Sequence, residues 1–186
     1  MDQRLDILRK INKKTAVAAG TALLAALLLI GFYGCRRENK IYQAAAAEVW
    51  QNAETIRAFY RSKPNYWGLN GAAAIKNNLT VSWKKQKGKL YNLLNKEVFI
   101  GNSAGETVMP GGKDFNIIYS GLSREECREI AAYHPSEQQS LGLRGMIIES
   151  ALTTEFDWGG KNKLPVSEDA AEQACGKTSR IIWNFE

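Results

Sequence analysis

The sequence has few of the residues on which enzyme and metal sites depend. Histidine occurs once, at His134, and cysteine three times among 186 residues. A lone histidine, with no second histidine or cysteine at ligand spacing, argues against a zinc site and against a histidine-based catalytic triad. The glycine pairs at 111–112 and 159–160 lack the context of a phosphate-binding loop. We therefore expect no enzyme, and assign no catalytic residue, cofactor or metal ligand.

Proline is also scarce, with four residues, of which Pro64 is the first along the chain. Between Cys35 and Lys63 there is neither proline nor glycine, so nothing interrupts a helix. Pro64 disfavours the helical conformation at the residue before it, which places the helix end near Arg61. Apolar residues recur there at spacings of three and four, which predicts a face packed on a core: Tyr42, Ala45, Val49, Ala53, Ile56 and Tyr60.

Charged side chains are absent from Thr15 to Cys35, and this stretch is long enough to cross the roughly 30 Å hydrocarbon core of a bilayer. Apolar residues face every direction around it, unlike the single stripe of a helix in a soluble core. Basic residues precede the span, so the N-terminus is expected to stay cytoplasmic and the remainder to be exported. These residues are Arg4, Arg9, Lys10, Lys13 and Lys14.

The formal net charge of +6 does not point to nucleic acid, because much of it comes from these N-terminal residues. Trp67, Trp83 and Tyr66 lie near a lysine-rich stretch at 84–89, which raises the alternative of a base-stacking platform. A solvated polar stretch is the preferred interpretation. No nucleic-acid partner is predicted.

The remaining pattern predicts strands and short helices in separate runs, which is typical of an α+β domain with an antiparallel sheet. Ser123 and Glu126 form a capping box that opens a helix reaching about Tyr133. Strands near 97–101 and 115–119 are expected to form a hairpin around the turn Ser103–Lys113. Further elements are a short helix at Ala72–Asn77, a strand at Met146–Ile148, a helix at Ser167–Cys175 and a strand at Ile181–Phe185.

The three cysteines are Cys35 at the outer end of the span and Cys127 and Cys175 in the exported part. An oxidising compartment favours a disulfide between the last two. Two unrelated buried thiols are the alternative.

The segment from Gly20 to Gly34, after a short basic leader, resembles the processing region of type IV prepilins. The resemblance implies that a prepilin peptidase cuts after Gly20 and leaves Thr21 as the new, methylated N-terminus. The apolar helix would then anchor the chain in the membrane and later pack in the core of a filament. Lipid and other apolar helices satisfy such a helix equally well.

The C-terminal half resembles type IVb pilins. Cys127 follows the strand that begins at Phe115, and Cys175 precedes the terminal strand that begins at Ile181. The resemblance implies a Cys127–Cys175 disulfide and a pilin-like fold, with a long N-terminal helix, half of it transmembrane, packed on an antiparallel sheet with short helices.

This family organisation implies a leader at 1–20, an N-terminal helix at 21–62 with the membrane half at about 15–35, and a globular domain at 63–186. The expected partners are other pilin subunits, the prepilin peptidase, the inner-membrane assembly machinery and the lipid bilayer. The expected location is the inner membrane before assembly, and an extracellular pilus or the periplasm afterwards.

One position departs from the family pattern. Most mature pilins carry Glu at their fifth residue, and the fifth residue after Gly20 is Ala25. A carboxylate in lipid is costly unless paired, so its presence in the family is functional. Other residues at this position are associated with certain minor, tip-located or initiating subunits, so Ala25 argues either against a major-subunit role or against cleavage after Gly20.

Two other readings of the N-terminus remain open. In a lipoprotein, Cys35 would be acylated, but Phe32 and Tyr33 occupy positions where such signals prefer leucine and a small residue. An uncleaved anchored protein, such as a pseudopilin-like component of a secretion system, is the other.

Overall fold

The computed structural model describes residues 40–135 and 141–186. The predicted leader, the membrane span and the positions Gly20, Thr21, Ala25 and Cys35 lie outside the described residues. No helix in the described ranges is both long and apolar enough to cross a membrane.

Four helices and seven strands make up the described chain. Helix α1 covers residues 40–60, and the others are α2 (Gly71–Lys76), α3 (Arg124–Ala131) and α4 (Glu168–Ala174). The strands are β1 (Lys84–Gln86), β2 (Lys89–Tyr91), β3 (Glu97–Gly101), β4 (Phe115–Leu122), β5 (Leu143–Glu149), β6 (Thr153–Asp157) and β7 (Ser179–Phe185).

The seven strands form one sheet in the order β1-β2-β3-β4-β7-β5-β6, and every neighbouring pair is antiparallel. The predicted hairpin of β3 and β4 is confirmed, with Val98 opposite Tyr119. The last strand, β7, lies in the middle of the sheet between β4 and β5. This is the α+β architecture with an antiparallel sheet that the sequence predicts.

Helix α1 buries the predicted apolar face. Ala45, Val49, Ala53 and Ile56 are fully buried and Tyr60 is nearly so. They join one hydrophobic core with the alternate residues of β7, which are Ile181, Trp183 and Phe185, and with residues of α3 and α4. Because side chains alternate along a strand, the helices and this core lie on one face of the sheet.

The opposite face of the sheet also buries apolar side chains. Ile118 and Ile182, on neighbouring central strands, are almost inaccessible to solvent. The loop after β3 folds back towards this face: the Arg180 guanidinium donates to the carbonyl of Ser103 at 3.1 Å, and an added Cβ at Gly105 would lie 3.1 Å from the Cβ of Phe99. The segment predicted as a simple turn is therefore a covering loop.

Three strands were not predicted. Strands β1 and β2 occupy the lysine-rich stretch that the sequence interpretation treated as part of a connecting loop. Strand β6 pairs with β5 at the opposite edge of the sheet. Helix α3 ends at Ala131, two residues short of the predicted end.

Candidate assembly and anchoring site

A buried hydrogen-bond chain fixes helix α1 to the sheet. The hydroxyl of Tyr119, on β4, donates to the carbonyl of Ala45 at 3.0 Å. The same oxygen accepts the indole N–H of Trp83 at 2.9 Å. Burial and the neighbouring Glu48 raise the pKa of Tyr119 well above its usual value, against a lowering by Trp83, so the phenol stays protonated and able to donate.

Polar side chains on α1 continue this attachment towards the turn after β2. Glu48 is only 5% exposed, and its Oε2 accepts the backbone N–H of Leu93 at 3.0 Å. Asn52, one helical turn further on, is fully buried and donates from Nδ2 to the carbonyl of Glu48 at 2.6 Å and to the hydroxyl of Ser82. Because burial disfavours the charged form, the pKa of Glu48 rises from 4.5 to about 7, and the hydrogen bond from Leu93 opposes this rise.

This polar cluster borders a cavity of about 220 Å³, lined by Glu48, Ser82 and Asn92 among others. Asn52 Oδ1, Thr80 Oγ1 and Asn92 Nδ2 are buried and find no hydrogen-bond partner among the described residues. An unpaired buried polar group is costly, and small polar cavities are where proteins hold ordered water. The hydrogen bonds of the cluster fix the position of α1 on the sheet, while its unpaired polar atoms lower the stability of the fold.

A row of aromatic rings completes the contact between α1 and the sheet. Trp50 meets Phe185 edge to face at 5.7 Å between centroids, and Phe185 stacks on Phe115 at 5.5 Å. Phe115 contacts Tyr66 at 4.7 Å, and Tyr66 contacts Tyr60 at the end of α1 at 5.1 Å. Such pairs contribute about 0.5–1.5 kcal/mol each beyond burial. Helix α1 is thus held to the sheet and its neighbouring loops from Ala45 to Tyr60.

A disulfide joins α3 to the end of α4. Cys127 and Cys175 are bonded, with a Cα–Cα distance of 5.8 Å and a sequence separation of 48. The predicted capping box opens α3, since the Ser123 hydroxyl accepts from the N–H of Glu126 and the Glu126 carboxylate accepts from the N–H of Ser123. Arg124 and Arg128 also reach Glu172 of α4. The two helices therefore form one stapled unit.

The sequence predicted no metal site and no base-stacking platform, and the described residues can be compared with both expectations. These residues hold no group of three or more histidine, cysteine or acidic residues able to bind a metal ion. His134 is exposed in the loop after α3. The aromatic residues considered for base stacking do not share a platform, because Trp83 and Tyr66 are buried and Trp67 is exposed.

Comparison with models of protein families identifies the family of the chain. The model of the family called Bundlin matches residues 36–181. The chain belongs to the Bundlin family. The Bundlin family is one of type IVb pilins, which are noncatalytic structural proteins that polymerise with other pilin subunits into pili outside the cell.

Two crystal structures of pilins are similar to this member of the Bundlin family. The type IV b pilin from Salmonella typhi is 15% identical with a TM-score of 0.48, over 81% of this chain and 98% of that one. TcpA, a type IV pilin from Vibrio cholerae El Tor biotype, is 16% identical with a TM-score of 0.48, over 76% and 99%. A search of curated proteins finds no match.

Some of the residues that attach α1 to the sheet escaped the sequence interpretation. Glu48 and Asn52 are four positions apart and so share one helix face. Both lie beside the apolar stripe of the helix. Their spacing therefore did indicate that the buried face of α1 includes polar side chains. Nothing in the sequence indicated that the phenol of Tyr119 would bond to the helix.

Proposed function

We propose that the chain is a prepilin that becomes a noncatalytic filament subunit after a peptidase cut between Gly20 and Thr21. Residues 1–20 are the leader, residues 21–62 the N-terminal helix, and residues 63–186 the globular domain. The membrane half of the helix, at about 15–35, holds the subunit in the inner membrane as a single span until the assembly machinery moves it into the filament.

One observation carries this proposal: an uncharged apolar span with Gly20 near its basic flank, on a chain whose residues 36–181 match Bundlin. The matched range begins after the span, so the processing step rests on the residues of the leader alone. Export of the domain is consistent with the Cys127–Cys175 bond, since disulfides persist in oxidising compartments.

The test is the intact mass and N-terminal residue of the protein extracted from membranes. A chain that begins at Thr21 supports processing. Acylated Cys35 would instead identify a lipoprotein, and a chain that begins at Met1 an uncleaved anchor of the pseudopilin kind. Gly20→Val should block the cut, whereas Gly31→Val, the matched control, should leave it unchanged.

Ala25 favours a minor or initiating subunit over a major one. Inserting a carboxylate at the centre of a membrane helix costs roughly 2.5–3.5 kcal/mol, so a family that keeps Glu there needs it for a function. This chain has Ala25 at that position and lacks the carboxylate. Quantitative mass spectrometry of sheared filaments measures the ratio of this chain to other pilins. We expect a small fraction; a filament built mainly from this chain would contradict the minor role.

A further inference from the structure

A cleft of about 670 Å³ opens at the C-terminal end of α1. Its walls come from the last turns of the helix, the turn at 63–66, the loop near Lys113 and the end of β7. The backbone N–H of Tyr66 donates to the carbonyl of Gly112 at 2.9 Å and ties two of these walls together. The volume falls within the range of about 300–1,000 Å³ that is typical of small-molecule sites.

Cationic groups outnumber anionic groups in the lining of this cleft. Four cationic side chains line it, Arg57, Arg61, Lys63 and Lys113, against the side-chain carboxylates of Glu54 and Glu186 and the main-chain carboxylate of Glu186, the last residue of the sequence. The Glu186 carboxylate is also drawn outward, since its Oε2 lies 3.5 Å from Nε of Arg144, which does not line the cleft.

Arg57 is held in place at the floor of the cleft. Its Nε donates to the main-chain carboxylate oxygen of Glu186 at 2.6 Å, and its hydrogen bond with the Tyr66 hydroxyl counteracts the burial that raises the pKa of Tyr66. Gly142 has a φ of +78°, which favours glycine, and the guanidinium packs directly against it, since a Cβ there would lie 2.5 Å from the Arg57 Cζ. The cation is therefore preorganised.

The remaining cations at the cleft lack anionic partners. Within residues 40–135 and 141–186, Arg61 and Lys113 make no ion pair or side-chain hydrogen bond. The Lys63 ammonium lies 3.8 Å from the ring centroid of Phe59 and 4.5 Å from that of Tyr60, which positions it without neutralising it.

Tyr60 adds an unused hydrogen-bond donor. Its side chain lines the cleft, and its hydroxyl has no hydrogen-bond partner in the described part of the chain. Burial raises the pKa of this phenol, so it stays protonated. The hydroxyl can therefore donate to a ligand in the cleft, and an anionic oxygen is the acceptor that the surrounding cations favour.

We propose that the cleft binds a small organic anion. Its carboxylate or phosphate group lies against Lys63 and Arg61 and accepts from the Tyr60 hydroxyl, and its body fills the space beside Tyr66 and Pro64. A neutral ligand would leave the cations unmatched, and a cation would be repelled by them.

Binding is tested on the full-length protein in a nonionic detergent by calorimetric titration. Glucuronate tests a ligand with a carboxylate, and glucose 6-phosphate tests a ligand with a phosphate. Glucose tests the uncharged body alone, and inorganic phosphate tests the anion alone. We expect saturable binding of one or both sugar acids, at least about tenfold tighter than glucose or inorganic phosphate, and weaker at high salt. The better of the two acids identifies the anionic group.

Two variants and one control test the residues. Arg61→Gln combined with Lys63→Gln should weaken binding about tenfold, and Tyr60→Phe, which removes only the hydroxyl, by a similar factor. Lys84→Gln combined with Lys85→Gln makes the same change in charge on exposed strand β1 and should leave binding unchanged. The proposal is overturned by equal loss in this control, by equal binding of glucose or inorganic phosphate, or by no saturable binding of either acid.

Discussion

Replacing Glu48 by glutamine should stabilise the protein at neutral pH and remove a pH dependence. Glu48 is buried between α1 and the turn after β2, and its pKa is about 7 in the folded state against 4.5 for the exposed side chain. Between these two values the folded protein binds more protons than the unfolded chain, so its stability falls as the pH rises through this window. The loss is complete at about pH 8, roughly one unit above the folded pKa.

The size of the effect follows from the pKa difference. Each pKa unit corresponds to about 1.4 kcal/mol, so a rise from 4.5 to about 7 amounts to about 3 kcal/mol at pH 8. Glutamine keeps an acceptor for the N–H of Leu93 and never carries a charge. Tyr119, which faces Glu48 from the sheet, stays protonated throughout this window, because burial raises its pKa further above the usual value.

The assay is guanidinium unfolding of the full-length protein in detergent, followed by tryptophan fluorescence at pH 4.5, 6, 7 and 8. The Glu48→Gln variant should match the unmodified protein at pH 4.5 and exceed it by about 2–3 kcal/mol at pH 8. Glu54→Gln is the control, because Glu54 is on the same helix and exposed. Parallel curves for the unmodified protein and Glu48→Gln would refute the reasoning.

Three further substitutions test other parts of the fold. Cys127→Ser should lower the free energy of unfolding by about 2–5 kcal/mol and expose one new thiol at Cys175, measured by thermal unfolding and thiol titration without reductant. Tyr119→Phe should cost about 1–3 kcal/mol in chemical unfolding, because it leaves a buried indole N–H and a buried carbonyl unpaired. Gly101→Ala should prevent folding, since the new Cβ would lie 1.7 Å from a backbone oxygen, whereas Gly71→Ala meets nothing within 4 Å and should fold with an unchanged circular dichroism spectrum.

The sequence was most informative for elements that have one face in the core and the other in water, because their apolar residues recur at a regular spacing. Helix α1 has water on one side and the core on the other, so the spacing of three and four between its apolar residues predicted the helix. Strand β7 likewise alternates, because Ile181, Trp183 and Phe185 face the core. The capping box of α3 was equally predictable, because its two hydrogen bonds are local in sequence.

The edge strands were not predictable in the same way. The residues of β1 are all exposed, so no alternation of apolar and polar residues marks them. Lysines at an edge discourage pairing with a foreign strand, and the same composition makes the segment look like a solvated loop. Strand β6 has one buried residue, Phe156, which gives too short a pattern to read.

Tertiary polar contacts lay beyond the sequence for a different reason. The bond from the Tyr119 hydroxyl to Ala45 joins positions 74 apart, and Arg57 meets Glu186 across 129. No local pattern encodes such pairs, because they depend on how the helix is set on the sheet. The anion cleft was hidden for the same reason.

These long-range contacts bear on how a filament subunit would carry load. Under the proposed assembly, subunits are joined through the N-terminal helix, so tension enters the globular domain through α1. The bonds that receive it are spread from Ala45 to Arg57: a hydrogen bond to β4, an aromatic contact to β7 and a hydrogen bond to the end of β7. Both receiving strands lie in the interior of the sheet, with antiparallel neighbours on each side. Tension on the helix is therefore distributed over several strands. The buried polar cluster around Glu48 and Asn52 lowers stability, but it also fixes the attachment of the helix to the sheet.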